Sequence, residues 1–235
     1  MTPSRYLPPV AKDEPQTESP GLARLPPGRH GLPRDFVVQN QRDRLAAGII
    51  AAVCEFGYHE TTITQIAGAA GVSRRTFYGY FDSKEECFFE AFDQIAAHLR
   101  DASREAAAEQ SRWPAQVAAR FEAALGVFST NPQLARFTLA VPPRAGGEIA
   151  ARNRRALDAA LAELLEGMPS DARAPADAVQ HSLIGGAASL IVQKLEAGEG
   201  DRIDELFPDL VELFLTPFVG RAEAVAALGG SRGRA

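Results

Sequence analysis

Arg74 and Arg75 directly follow Ser73, and Thr76, Tyr78 and Tyr80 lie within the next five positions. Two guanidiniums beside three hydroxyls form a donor set suited to anions. An arginine grips guanine or phosphate through two parallel bonds, and hydroxyls suit phosphate oxygens. Ser73 is a fitting N-cap, which would put both arginines in a first helical turn. A cation there opposes the helix dipole by about 0.3–1 kcal/mol, so an anionic partner would account for the pair. An Arg-Arg pair in isolation reads more simply as solvated surface; its place after a turn and a capped helix tips the weighing toward the anion.

The flanking residues supply the elements that would position this set. Leu45, Ile49, Val53 and Phe56 fall on one helical face, and Gly57 suits the C′ position that ends it. Thr62 with Gln65 makes a capping box for a short helix whose inner face is Ile63, Ile66, Ala67 and Ala70. Gly71 breaks that helix, and Ser73 starts another that runs to about Gly79. Phe77 and Phe81, four apart, should pack inward, with Arg75, Thr76 and Gly79 on the opposite side and Tyr78 and Tyr80 flanking. Asp82 or Ser83, with Glu85 or Glu86 three residues on, begins a longer helix with the buried stripe Phe88, Phe92, Ile95 and Leu99. Residues 62–79 thus read as helix-turn-helix, the arrangement that lays its second helix in a major groove while the first braces it.

Helical periodicity continues to the C-terminal region with no alternating strand pattern, so the fold class is all-α. Val117, Phe121, Leu125 and Phe128 mark one helix, stopped near Asn131-Pro132; Leu134–Ala140 is a short one, ended by Pro142-Pro143. Ile149 to Leu165, about Pro175–Ala197 and about Asp204–Gly220 are three more. Eight of the sixteen prolines fall within residues 1–33, so 1–34 reads as a disordered tail, and 222–235, closing on Gly229-Gly230-Ser231, as a second. The expected domains are 35–85 and 86–221.

The 235 residues carry a net charge of −5, with five basic and eight acidic residues between 35 and 92. That argues against a protein that coats nucleic acid nonspecifically, and it requires acidic residues such as Glu55, Glu85 and Glu90 to face away from any DNA. Two cysteines, Cys54 and Cys87, exclude a disulfide framework or a four-cysteine zinc site, and both read as packing residues. The absence of an apolar leader or of an 18-residue apolar run points to a cytoplasmic protein. Four scattered histidines, and no phosphate-binding loop, dinucleotide fingerprint or nucleophile elbow, give no reason to expect an enzyme, cofactor or metal.

Thr61-Thr62-Ile63-Thr64-Gln65-Ile66-Ala67, followed by Ala70-Gly71-Val72-Ser73-Arg74-Arg75-Thr76-Phe77-Tyr78-Gly79-Tyr80-Phe81-Asp82-Ser83-Lys84-Glu85-Glu86, resembles the signature of the tetracycline-repressor (TetR) family. The resemblance runs from about Leu45 to Phe92. It implies an N-terminal three-helix DNA-binding domain and a C-terminal helical bundle for ligand binding and dimerisation. The implied function is a homodimeric transcriptional regulator, usually a repressor released from a palindromic operator by a small molecule. It also implies DNA contacts at Thr62 and Thr64 on the bracing helix, at Arg74, Arg75, Thr76, Tyr78 and Tyr80 after the Ser73 cap, and at Lys84 as a phosphate contact. Gly79 departs from the pattern, where a larger side chain is common; inside a helix it would cost about 0.8–1 kcal/mol relative to alanine.

The ligand is less sharply written. Trp113, Phe121, Phe128, Phe137 and His181 are the candidate pocket residues, although aromatics at helical spacing are more often plain core. Asp177 precedes His181 by four residues, so the pair could orient a ligand, while a satisfied histidine is the simpler reading. Gly185-Gly186-Ala187-Ala188-Ser189 gives its helix a small-residue surface suited to close packing or to a ligand. The alternatives are an activator or co-ligand-requiring regulator of the same fold, and a helical binding protein whose helix-turn-helix contacts a protein partner.

Overall fold

The computed structural model describes residues 34–231 apart from Asp171. The expected N-terminal tail therefore lies outside the described residues, save Arg34, as do residues 232–235. Among the described residues every regular element is helical and no strand occurs, in agreement with the all-α expectation. None of these helices is long and apolar enough to cross a membrane. The described residues divide into two compact units that part between Ile95 and Ala96, inside a helix rather than at the expected 85/86 boundary.

The first unit holds α1 (Arg34–Phe56), α2 (Ile63–Ala69), α3 (Arg74–Tyr78) and the first half of α4 (Lys84–Ala108). Each boundary has a local cause. α1 ends where Gly57 adopts φ +79°, a left-handed conformation that costs glycine little. α2 starts at the expected capping box: the Gln65 N–H donates to Thr62 Oγ1 at 3.3 Å, and the Thr62 N–H donates to Gln65 Oε1 at 2.7 Å. Ser73 Oγ caps α3 by accepting from the Thr76 N–H at 3.0 Å. At the start of α4 the Glu86 N–H donates to Ser83 Oγ, and the Asp82 N–H to Glu86 Oε2. Leu45, Ile49, Ile66, Phe77, Phe88 and Ile95 form the core, each wholly buried. Phe56, the last residue of α1, does not complete the apolar face expected of it and remains 42% exposed. Leu99, expected in the buried stripe of α4, is half-buried.

The second unit contains α5 (Trp113–Thr130), α6 (Pro132–Ala135), α7 (Val141–Ala145), α8 (Gly147–Leu165), α9 (Asp177–Glu196), α10 (Phe207–Val219) and α11 (Arg221–Ser231). Three expectations change here. Pro142-Pro143 does not end the helix that begins near Leu134. Prolines lack the N–H groups that an α-helix would aim at the carbonyls of Thr138 and Leu139. Arg136–Ala140 widens into a π turn, in which the Val141 N–H reaches Arg136 O, and the prolines then occupy the start of α7. The break comes at Gly146 and Gly147, both at positive φ. The helix expected over 204–220 separates into a 3₁₀ segment, Gly200–Leu206, and α10, whose first turn contains Pro208. The segment expected to be a disordered tail from Ala222 is helical to Ser231. Its alanines are the strongest helix formers, and Ala224 and Ala227 are buried, with α11 packed on α10 and α5.

Candidate nucleic-acid interface

α3 divides as its sequence implies. Phe77 is wholly buried and its ring sits 5.8 Å from that of Phe81, itself 2% exposed. Arg74, Arg75 and Tyr78 are exposed on the other side. Neither guanidinium has a hydrogen bond or ion pair among the described residues. Tyr78, 51% exposed, rests edge-on against the Phe77 ring, with centroids 5.6 Å apart. α3 is only five residues long, so Arg75 belongs to its last turn as much as to its first. The expected dipole penalty largely cancels, and the case for an anionic partner rests on exposure and lack of partners. Gly79 is not inside α3 but caps its end at φ −77°, so the helix-interior cost anticipated for it does not arise.

The hydroxyls are less free than the guanidiniums. Thr62 is occupied by its capping box, and Ser73 Oγ lies 2.9 Å from Thr76 Oγ1 while capping the Thr76 N–H. Thr64 is exposed on α2, and Tyr80 is half-buried beyond α3. The acidic residues are partly neutralised: Glu90 pairs with Arg42, whose guanidinium also lies 5.6 Å from the centre of the Phe81 ring.

Lys84 is placed differently from the other candidates. Its ammonium donates to the Tyr58 carbonyl at 2.6 Å, to the Thr61 carbonyl at 2.7 Å and, more distantly, to the His59 carbonyl at 3.4 Å. It also sits 4.4 Å from the centre of the Tyr58 ring. Burial lowers its pKa from the ordinary lysine value, a nearby Glu60 opposing the shift. Arg44, 9% exposed on α1, donates to Gly71 O at 2.8 Å across the turn between α2 and α3. Sequence periodicity gave no sign of Arg44, because a bond to a backbone carbonyl leaves no trace in residue type.

Of the pocket candidates, Trp113, Phe121, Phe128 and Phe137 are all buried core. Trp113 lies edge-on to Phe218 at 5.5 Å, and Phe121 to Phe214 at 5.7 Å. His181 is not grouped with them: it is exposed, with Nδ1 2.8 Å from the Asp177 backbone carbonyl and Nε2 3.5 Å from Asp158 Oδ1. Its expected partner therefore contributes main chain, not carboxylate. A cleft of about 610 Å³ in this unit is lined by Arg112, Trp113, Pro169, Arg173, Phe218 and Glu223 among others, and only Trp113 of the five candidates borders it. Cys87 is fully buried, and that burial, more than the nearby Glu90 and Glu86, pushes its thiol up and away from nucleophilic use.

The Trp113 indole donates to Leu164 O at 2.9 Å, one of the last carbonyls of α8, which the helix itself leaves without a donor. Trp113→Phe keeps the ring contact but strands that buried acceptor, at about 1–3 kcal/mol. The expected result is a melting temperature lower by roughly 2–10 °C, read by calorimetry.

A short capped helix, a tight turn and a second helix with an exposed basic face define a helix-turn-helix protein, here carried with a separate helical unit. Residues 51–91 match the model of a family described as bacterial regulatory proteins, tetR family. The HTH-type transcriptional regulator TcmR of Streptomyces glaucescens is 38% identical over 74 residues, which is 32% of each chain. The chain thus aligns with about a third of that curated relative's length. The fold is similar to that of the fatty acid degradation regulator FadR of Bacillus halodurans, with a TM-score of 0.65, 20% identity, and coverage of 74% of this chain and 94% of that one. It is also similar to FadR of Bacillus subtilis in complex with stearoyl-CoA, with a TM-score of 0.61, 18% identity, and coverage of 74% and 97%.

Proposed function

We propose that the protein is a homodimeric, ligand-responsive regulator of transcription, a repressor that a small molecule releases from a palindromic operator. Each protomer places Ser73–Tyr80 in a major groove, with half-sites about 34–36 Å apart or a multiple of that spacing. The observation that carries this reading is the pair Arg74 and Arg75 beside Tyr78, exposed and without internal partners, opposite a buried Phe77. Thr64 and Tyr80 are the supporting contacts. An effector held in the C-terminal unit alters the separation of the two reading helices; coupling of this kind is typically about 1–3 kcal/mol, or roughly 5–150-fold in affinity.

Fluorescence anisotropy against duplex tiles of the intergenic DNA upstream of its own gene tests the proposal. One tile should bind about a thousandfold more tightly than the rest. Uniform, weak, salt-sensitive binding to these tiles and to genome-wide fragments would sink it. The operator then reports on effectors, and release from it separates a repressor from a co-ligand-requiring regulator. Long-chain acyl-CoA thioesters head the panel, because FadR of Bacillus subtilis, whose fold is similar, is in complex with stearoyl-CoA.

A further inference from the structure

We infer that the cleft at the start of α5 binds a small carboxylic acid, a molecule with a compact apolar body and a single negative charge. The cleft lies wholly within the C-terminal unit, and its occupancy is measurable without DNA, so the site stands or falls apart from what α3 contacts.

The interior of the cleft is apolar and held in place. Trp113 and Phe218 line it, each 4% exposed, with their rings edge-on at 5.5 Å. The indole is fixed by its bond to Leu164 O, and the Phe218 ring stacks on that of Phe214 at 5.4 Å. A volume of about 610 Å³ suits a small molecule, whose sites are mostly apolar with a few polar groups that fix orientation.

Charge is confined to the exposed part of the lining. Arg112, whose side chain is 68% exposed, pairs with Glu223, and that bond leaves most of its five N–H donors unused. Arg173, in the segment joining α8 to α9, is exposed, and its guanidinium has no hydrogen bond or ion pair among the described residues. Two guanidiniums against one carboxylate leave a single positive charge, which a monoanion neutralises and a dianion exceeds. The first turn of α5 has neither an acidic residue nor a side-chain cap, so the positive end of that helix adds to the same sign. A carboxylate accepts the two parallel bonds that a guanidinium offers, while the apolar body covers the rings of Trp113 and Phe218.

Trp113 is the only tryptophan in the chain, so its emission reports on this cleft. The probe is adamantanecarboxylate, with adamantanemethanol and adamantanemethylamine as its neutral and cationic counterparts; none of them absorbs where tryptophan is excited. Arg173→Ala removes a guanidinium from an exposed segment between helices. Glu223→Gln removes the opposing carboxylate and serves alone if the first variant does not fold, with a melting curve as the check.

The expected result is a saturable change of Trp113 emission with the acid, at an affinity about tenfold weaker in Arg173→Ala and about threefold tighter in Glu223→Gln. The alcohol should bind more weakly and respond to neither variant, and the amine more weakly still. Movement in opposite directions is what recognition of charge requires and what a change of packing does not produce. An acid bound no better than the alcohol, an acid affinity that neither variant moves, or an emission that no probe changes saturably would overturn the inference.

Discussion

In the Arg75→Ala protein, operator affinity is expected to fall by roughly 30-fold to 10⁴-fold at fixed salt, while the melting temperature moves by less than about 2 °C. The two halves of this expectation come from different features of the residue. A good arginine–base contact is worth about 1–3 kcal/mol of discrimination, and a two-fold symmetric dimer loses it twice. Stability is spared because the Arg75 side chain is exposed and makes no hydrogen bond or ion pair among the described residues, and substitutions at such sites usually stay within about 0.5 kcal/mol. Tyr78→Phe should behave in the same way with a smaller loss, since it removes one hydroxyl and leaves the ring on Phe77. Anisotropy on the operator tile and calorimetry on the same samples check both halves. Undiminished affinity would mean that another helix reads the DNA; a large fall in melting temperature would mean that Arg75 supports the fold.

Features of the first unit written over three or four residues could be read from the sequence. The Thr62–Gln65 box, the Ser73 cap, the Gly57 stop and the Phe77–Phe81 pair all depend on near neighbours, so residue type and spacing determine them. The failures share a different cause. Pro142-Pro143 reads as a stop because the donors it removes are visible in the sequence, whereas the wider turn at Arg136–Ala140 that absorbs the loss is not. α11 was obscured by Gly229-Gly230-Ser231, although the buried face that Ala224 and Ala227 present to α5 and α10 supports it.

The candidate site divides along the same line. Exposure of Arg74, Arg75 and Tyr78 followed from the position of Phe77 on the helical wheel. The environment of Lys84 did not, because its partners lie more than twenty residues earlier and are main-chain oxygens. The aromatic candidates Phe121, Phe128 and Phe137 conform to the simpler expectation of core. A sequence can nominate large apolar residues, but whether they line a space or fill it depends on what packs opposite.

Gly48→Ala is expected to destabilise the protein, and Gly68→Ala to leave its stability unchanged or raise it, although both place the same methyl group in a helix. At Gly48 of α1 a Cβ would stand 2.7 Å from Ile66 O and 2.9 Å from both the nitrogen and the Cβ of Ala70, which belong to α2 and its cap. Two of those three atoms are backbone, so no side-chain rotation relieves the contact; α1 and α2 must move apart. Overpacking of this kind costs about 1–3 kcal/mol, and a rigid backbone obstacle places it at the upper end. The gain in helix propensity returns only about 1 kcal/mol, so the clash wins. At Gly68, in α2, a Cβ meets nothing within 4 Å, and the propensity gain stands alone. Urea midpoints should therefore move in opposite directions, with the Gly48→Ala protein also losing operator affinity because α2 carries the turn that aims α3. Equal midpoints for the two proteins would show that α1 and α2 do not approach as closely as Gly48 permits, and the bracing of the reading helix would then need another source.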